Sequence, residues 1–360
     1  MMIEKERYRQ LLENFGNAHV AVVGDMVADI YIFGKPHKLS REAPVIVVRH
    51  ESEKLVPGSA ANTAHNLMAL GATVHPIGVV GNDAPGHAVI QFFDGRLARP
   101  MGIVVDETRH TITKTRIMAG DLHTTKQQVI RIDREPSNPI SPATENLLVE
   151  RLDAIVPEID GIIVSDYDYD VMCPRLMQLI KKLAREKVVV VDSRSRLCEL
   201  TGVALATPNE AEAEAATGIA ITSEADVVRA GRKLLECTGN AAVLITRGNR
   251  GMMLFEKDAP TVDIPICGGE DIVDVSGAGD TVAATATLGL LAGGTFAESA
   301  NLANFAAALV VMKSGTATTT REEILELITG QTNDQTDKKS QHSGQNDRDP
   351  QEAGQTYRHG

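Results

Sequence analysis

The sequence predicts an α/β fold: a mostly parallel central sheet with helices on both faces, three layers in all, carrying a small β-sheet lid. Three observations predict it. Short apolar runs without in–out alternation recur along the chain, stretches with helical apolar spacing separate them, and two segments rich in β-branched residues interrupt the rhythm.

In chain order, His19–Gly24 (HVAVVG) reads as the first buried strand, followed by a helix over Ala60–Leu70 that Gly71 stops. Gly161–Ser165, Val188–Asp192 and Ala242–Thr246 read as further buried strands, and Pro174–Arg185 and Ser223–Cys237 as helices between them. Tyr31–Arg49 and Thr108–Asp133 hold few good helix formers and contain turn signals at Gly34-Lys35-Pro36 and Ala119-Gly120-Asp121. They read as antiparallel strands of an accessory sheet, either a lid over a site at the strand ends or an edge extension of the main sheet. One domain is expected over residues 1–330. From Gln331 to Gly360 there is no Leu, Ile, Val, Phe or Met, so that segment reads as a disordered polar tail.

Composition narrows the function. With 360 residues, 43% of them hydrophobic, the chain can bury a large core. A net charge of -12 and only 3% aromatic residues argue against nucleic acid as a partner. No apolar run approaches the ~20 residues that span a bilayer, and the charged N-terminus lacks a signal-peptide core, so no membrane association and a cytoplasmic location are expected. The four cysteines form no C-x-x-C pair and read as reduced thiols.

Neither G-x-G-x-x-G after the first strand nor G-x-x-x-x-G-K-[ST] anywhere is present, which argues against a dinucleotide-dependent dehydrogenase and a P-loop enzyme. The glycine-rich feature is Asp274-Val275-Ser276-Gly277-Ala278-Gly279-Asp280, running into the apolar, alanine-rich helix Thr281–Leu291 that Gly293-Gly294 stops. Small residues and unpaired amides at a helix start make an anion site. Asp280 at that start is placed to act as a base, or equally to cap a tight turn.

D-V-S-G-A-G-D resembles the C-terminal signature of the ribokinase-like (PfkB) carbohydrate kinases, and further elements follow that family's order over residues 19–328. Gly24-Asp25 with Asp29 resembles its sugar-binding start, and Pro57-Gly58-Ser59-Ala60-Ala61-Asn62 its glycine-pair hinge and substrate asparagine. Asn209 and Glu212 resemble its N-x-x-E element beside Mg2+ and phosphate; Thr246-Arg247-Gly248 with Gly251, and Asn304, resemble its nucleotide segments. The resemblance implies a three-layer ribokinase-like fold and an enzyme using ATP and Mg2+. It makes Asp280 the base, the Gly277, Ala278 and Gly279 backbone the anion hole, and Asp25, Asp29, Gly58 and Asn62 the sugar contacts. Glu212 would meet Mg2+ through water. Asp274 would help hold a monovalent cation such as K+, or serve only to cap its turn. A homodimer through the lid is also implied.

Within the family, G-D-M-V-A-D-I-Y (24–31), S-R-E-A-P-V (40–45), T-I-T-K-T-R (111–116), Q-Q-V-I-R-I-D (127–133) and V-S-D-Y (164–167) resemble the kinases that phosphorylate D-glycero-D-manno-heptose 7-phosphate at O1 in ADP-heptose synthesis. Lys114 and Arg116 share strand parity and thus one face. Together with Arg131 and Arg194 they are the candidates for binding a phosphorylated acceptor, or they are ordinary surface cations. Three departures stand against those kinases. Ser59 replaces the second hinge glycine, Asp168-Tyr169-Asp170 stands where a Lys-Gly is usual, and Ser193-Arg194 replaces Pro-Lys. With no H-x-G-H motif, the chain resembles the kinase part alone. Other sugar or nucleoside kinases of the family, or an inactive sugar-binding member, remain the alternatives.

Overall fold

The computed structural model describes residues 5–97, 102–120, 127–136, 138–267 and 272–330; the expected tail, 331–360, lies outside the described residues. The chain opens with α1 (Lys5–Asn14), β1 (His19–Gly24), the long strands β2 (Met26–Leu39) and β3 (Ile46–Ser59), α2 (Ala60–Ala69), β4 (Thr73–Gly81), α3 (Ala84–Phe93) and β5 (Gly102–Asp106). β6 (Ile112–Ala119) and β7 (Gln127–Arg134) follow, then α4 (Pro142–Ile155), β8 (Gly161–Asp166), α5 (Pro174–Leu183), β9 (Val188–Ser193) and β10 (Leu205–Ala206). The last part comprises α6 (Glu210–Thr217), α7 (Glu224–Thr238), β11 (Ala242–Thr246), β12 (Met252–Glu256), β13 (Val262–Ile264), α8 (Ala278–Leu291) and α9 (Phe296–Val311).

Nine strands form the main sheet in the order β13-β12-β11-β10-β9-β8-β1-β4-β5, parallel from β11 to β5 with β12 and β13 antiparallel at one edge. Its strands bury both faces, as unalternating apolar runs require. On one side Ala21, Val23, Ile162 and Val191 pack with Leu148, Leu176 and Val227 of α4, α5 and α7. On the other, Val20, Val22 and Ile163 pack with Leu67, Ala284 and Leu302 of α2, α8 and α9. From β1 the chain builds outward to β4 and β5, and later returns to lay β8 on the other side of β1. The C-terminal ends of β1 and β8 therefore form a switch point, where open α/β sheets bind ligands.

The accessory sheet has the order β3-β2-β6-β7 and differs from expectation in three ways. It is longer: β2 starts at Met26 and β3 ends at Ser59, so the Asp25–Asp29 and Pro57–Asn62 motifs sit at its root. It is mixed: β2 pairs with β6 in parallel, because a long crossover through β3, α2, β4, α3 and β5 joins them rather than a hairpin. Finally, Gly34-Lys35-Pro36 is no turn. β2 runs through it with register shifts at Phe33/Gly34 and Pro36/Lys38 that absorb the missing proline donor, and the reversal falls between Leu39 and Ile46, closed by Ser40 N–H to Val45 O at 2.9 Å. Of the other expected turn, Asp121 lies outside the described residues.

Candidate active site

Asp280, in the first turn of α8, is buried, and three side chains donate to its carboxylate. Asn62 Nδ2 lies 2.7 Å from Oδ2, while Thr63 Oγ1 and the Tyr167 hydroxyl each lie 3.1 Å from Oδ1. Burial outweighs these bonds and pushes the carboxyl up to about 6, the range of a base that works near neutrality. The turn before α8 depends on Gly277: its φ is +80°, and a Cβ there would sit 2.5 Å from Asn62 Nδ2. Gly279 then places a first-turn amide beside the base, while the Ala278 amide closes the preceding turn onto Val275 O at 3.3 Å.

The acceptor side is built from buried charge. Asp29 and Lys114 face each other across the parallel pair, as do Tyr31 and Arg116 two residues on. Arg116 Nη1 binds Asp29 Oδ1 at 2.7 Å, and its guanidinium lies 5.2 Å from the Tyr31 ring. Gly58 lets the strand root close on this pair, since a Cβ there would meet the Asp29 carboxyl at 2.8 Å. Lys114 is buried with no carboxylate ion pair among the described residues; its Nζ lies 4.7 Å from the Tyr167 ring centroid. Arg194 Cζ lies at 4.7 Å from the same centroid. Desolvation lowers the Lys114 pKa, with Asp29 opposing it.

Asp25 is buried at the root of the lid, where one carboxylate oxygen holds the turn after β8. Its Oδ2 accepts the amides of Tyr167 (2.7 Å) and Tyr169 (3.3 Å), and burial raises its pKa to about 7. That clamp requires the turn after β8 to curl sharply, and Asp168 and Asp170 take left-handed φ values of 66° and 72°, a conformation aspartate tolerates. Arg109 braces the same turn through Nη2 to Tyr169 O at 2.9 Å. Arg131 stands on β7, every residue of which is exposed, and pairs with Asp133 at 2.9 Å.

On the other side of the α8 start lies a pocket lined by Thr246, Gly248, Gly251, Asn304, Ala278 and Gly279, with Met252, Ile272, Val275 and Val311 as apolar walls. Its neutral polar rim and apolar interior fit a nucleobase, and it opens on the anion loop. Arg247 does not line it; its buried guanidinium is taken up by Glu224 and Asp263, at 3.0 Å each, and by Glu210. Asn209 and Glu212 form a capping box for α6, with Glu212 Oε2 accepting the Asn209 amide at 2.8 Å. Glu212 also repels half-buried Asp192, whose pKa desolvation raises well above the ordinary carboxylate range. Two crowded carboxylates beside the anion loop fit a hydrated Mg2+ held mainly by phosphates, and no cluster of three or more metal-ligating side chains exists among the described residues. Asp274 uses Oδ1 on the Ser276 amide (2.9 Å) and Oδ2 on the Gly315 amide (3.0 Å), tying two loops together. Those contacts match its turn-capping reading.

Thr63, Tyr167 and Asp192 were not singled out as site residues from sequence. Thr63 follows the expected Asn62 by one helical position, and Tyr167 and Asp192 lie at or just past the ends of β8 and β9, where sites of this topology gather.

The pfkB family carbohydrate kinase profile matches residues 17–323. The bifunctional protein HldE of Geobacter sulfurreducens is 40% identical over 326 residues, covering 90% of this chain and 65% of its own length. That of Helicobacter pylori is 37% identical, over 87% of this chain and 66% of its own length, so the chain spans about two thirds of these relatives. Among solved structures, Arabidopsis thaliana ribokinase complexed with ribose and ATP superposes with a TM-score of 0.67 at 20% identity, covering 86% of this chain and 98% of that one. Escherichia coli phosphofructokinase-2 in complex with potassium gives 0.73 at 17% identity, over 88% and 99%. These structural likenesses establish the ribokinase-like fold. No helix among the described residues is long and apolar enough to cross a membrane. With a profile spanning both the lid and the α8 start, the chain belongs to the pfkB family of carbohydrate kinases and is a sugar kinase.

Proposed function

We propose that the chain transfers the γ-phosphoryl group of ATP to O1 of D-glycero-D-manno-heptose 7-phosphate, giving the 1,7-bisphosphate for ADP-heptose synthesis. The observation that carries the reading is the set of cations, Lys114, Arg116 and Arg194, gathered between lid and base in a protein of net charge -12. Burying a lysine without a carboxylate partner is costly. A plain sugar offers nothing to offset that cost, whereas a phosphorylated acceptor does. The five sequence stretches resembling heptose 7-phosphate kinases add support.

In this mechanism Asp280 takes the proton of the attacking hydroxyl, and the Gly277–Gly279 amides stabilise the charge on the transferring group. Asp29, held by Arg116, and Asn62 orient the acceptor hydroxyls; Asp25 acts through the turn it clamps. ATP would lie along Thr246, Gly248, Gly251 and Asn304. Asp192 and Glu212 would hold Mg2+ through water, and the ion would neutralise phosphate charge. Asp274 would contribute to a monovalent-cation site only through oxygens that already accept amides. The reading places the enzyme in the cytoplasm, where ATP is available, and residues 331–360 outside the catalytic domain.

We also infer a homodimer formed through the lid. Away from the site, Ile30, Thr115 and Ile132 align across β2, β6 and β7, as do Ile32, Ile117 and Ile130, and Ile130 and Ile132 are half-exposed. Sheet faces of this kind are buried in association.

A phosphoryl-transfer screen tests the reading. It should give turnover with heptose 7-phosphate well above that with unphosphorylated heptose, hexoses, pentoses and nucleosides. The second reading, a family kinase for an unphosphorylated sugar, is favoured by Asp168-Tyr169-Asp170, which adds carboxylates where heptose kinases carry a Lys-Gly. Preference for a plain sugar would establish it, and absence of any turnover would mark an inactive sugar-binding member.

A further inference from the structure

Tyr167 joins three parts of the site that no other described side chain joins. Its hydroxyl lies 3.1 Å from Asp280 Oδ1, its ring lies 4.7 Å from both Lys114 Nζ and Arg194 Cζ, and its amide lies 2.7 Å from Asp25 Oδ2. The clamp on its backbone fixes where the side chain leaves the main chain, and the ring's contacts set where it points. The ring face, the negative side of its quadrupole, then holds two cations that come from different elements, β6 of the lid and the loop after β9. Burial and the neighbouring carboxylates hold its phenol well above the ordinary value, so it stays a donor throughout the working range.

We propose that Tyr167 is a positioning residue that links the cations meeting the acceptor's phosphate to the carboxylate that takes the acceptor's proton. This rests on the kinase reading above. With the lid in place, Lys114 and Arg194 hold the ring, and the ring holds its hydroxyl on Oδ1. Oδ2, bound among the described residues by Asn62 alone, is left to receive the proton of the acceptor hydroxyl. An acceptor phosphate that draws Lys114 and Arg194 toward itself shifts the ring and loosens its bond to Oδ1, which makes Asp280 a stronger base as the substrate seats. The groups facing Asp280 are Asn62 and Thr63 from α2, Asp29 and Lys114 from the lid, Tyr167 after β8, and Asp192 near the end of β9, with Arg194 set against the Tyr167 ring. Among the described residues, only Tyr167 touches both the base and these cations.

The test is the pH dependence of kcat/KM for Tyr167→Phe and Tyr167→Leu against wild type, at saturating ATP, with melting temperatures measured alongside. Tyr167→Phe keeps the ring and removes one donor that favours the ionised carboxylate. Its acid limb should therefore move up by about one pH unit, so that activity at pH 6 falls roughly three- to tenfold relative to pH 8. KM for heptose 7-phosphate should stay within about threefold. Tyr167→Leu should show the same limb and, in addition, a roughly tenfold higher KM for the phosphorylated acceptor, with KM for ATP unchanged. An unchanged profile for the Phe variant, or a loss equal at every pH, would overturn the proposal. If wild type turns over only another sugar, the heptose reading fails, and the Phe profile measured on that sugar still decides the role of Tyr167.

Discussion

The two halves of the site are built from opposite materials. The nucleotide side consists of backbone amides, small residues and apolar walls: Gly277, Ala278, Gly279, Val275 and Val311, with Thr246 and Asn304 as neutral polar contacts. The acceptor side consists largely of charge taken out of water: Asp29 on Arg116, Lys114 on the Tyr167 ring that exposed Arg194 also meets, and Asp280 under three donors. Backbone and apolar surface recognise a common cofactor with little dependence on any single side chain. Buried charges are costly unless matched, so they discriminate between acceptors. Substitutions on the acceptor side should therefore do more damage, and more selective damage.

Asp280→Asn is the largest break. Loss of a general base costs ~10²–10⁴-fold in kcat, and ATP binding measured by calorimetry should persist. Next come Lys114→Met and Arg194→Ala. Each removes one charge-assisted contact, worth about 1.5–3 kcal/mol, and should raise KM for heptose 7-phosphate about ten- to hundredfold while leaving KM for ATP unchanged. Arg116→Ala should match them in size by a different route, since it leaves Asp29 buried and unpaired; it should also impair an unphosphorylated acceptor. On the nucleotide side, Asn304→Ala loses a neutral hydrogen bond to Pro265 O (2.8 Å), and KM for ATP should rise only several-fold, about 1 kcal/mol. Equal losses on the two sides would break the comparison.

Two smaller effects sharpen it. Ser59, at the root of the lid, is held at φ 51°, ψ −126°, and its buried Oγ has no hydrogen-bond partner among the described residues. Relief of such backbone strain, ~1–3 kcal/mol, outweighs the extra chain entropy of glycine, so Ser59→Gly should stabilise the fold by about 1 kcal/mol in denaturant unfolding. Deleting residues 331–360 should leave melting temperature and kcat unchanged.

Much of this was legible in the sequence because the core strands are uniform apolar runs and the anion loop needs small residues at fixed positions. His19–Gly24 and Ala242–Thr246 are strands as read, and Gly277 sits at the positive φ its turn demands. The parallel β2–β6 pair was not legible, since local composition marks a strand but not its partner. Arg247 illustrates the limit for side chains: its spacing suits a nucleotide segment, yet Glu210, Glu224 and Asp263, distant in sequence, take up its charge. Tyr167 escaped for the same reason. An aromatic past a strand end is ordinary until the fold sets a carboxylate at its hydroxyl and two cations at its ring.

The central claim is that the buried cations select an acceptor that already carries a phosphate. Its most direct test is the ratio of kcat/KM for heptose 7-phosphate to that for unphosphorylated heptose in wild type and in Lys114→Met. The account predicts a wild-type ratio of about a hundred or more, falling by roughly tenfold or more in the variant. A wild-type ratio near one, or a ratio that Lys114→Met leaves unchanged, would contradict it.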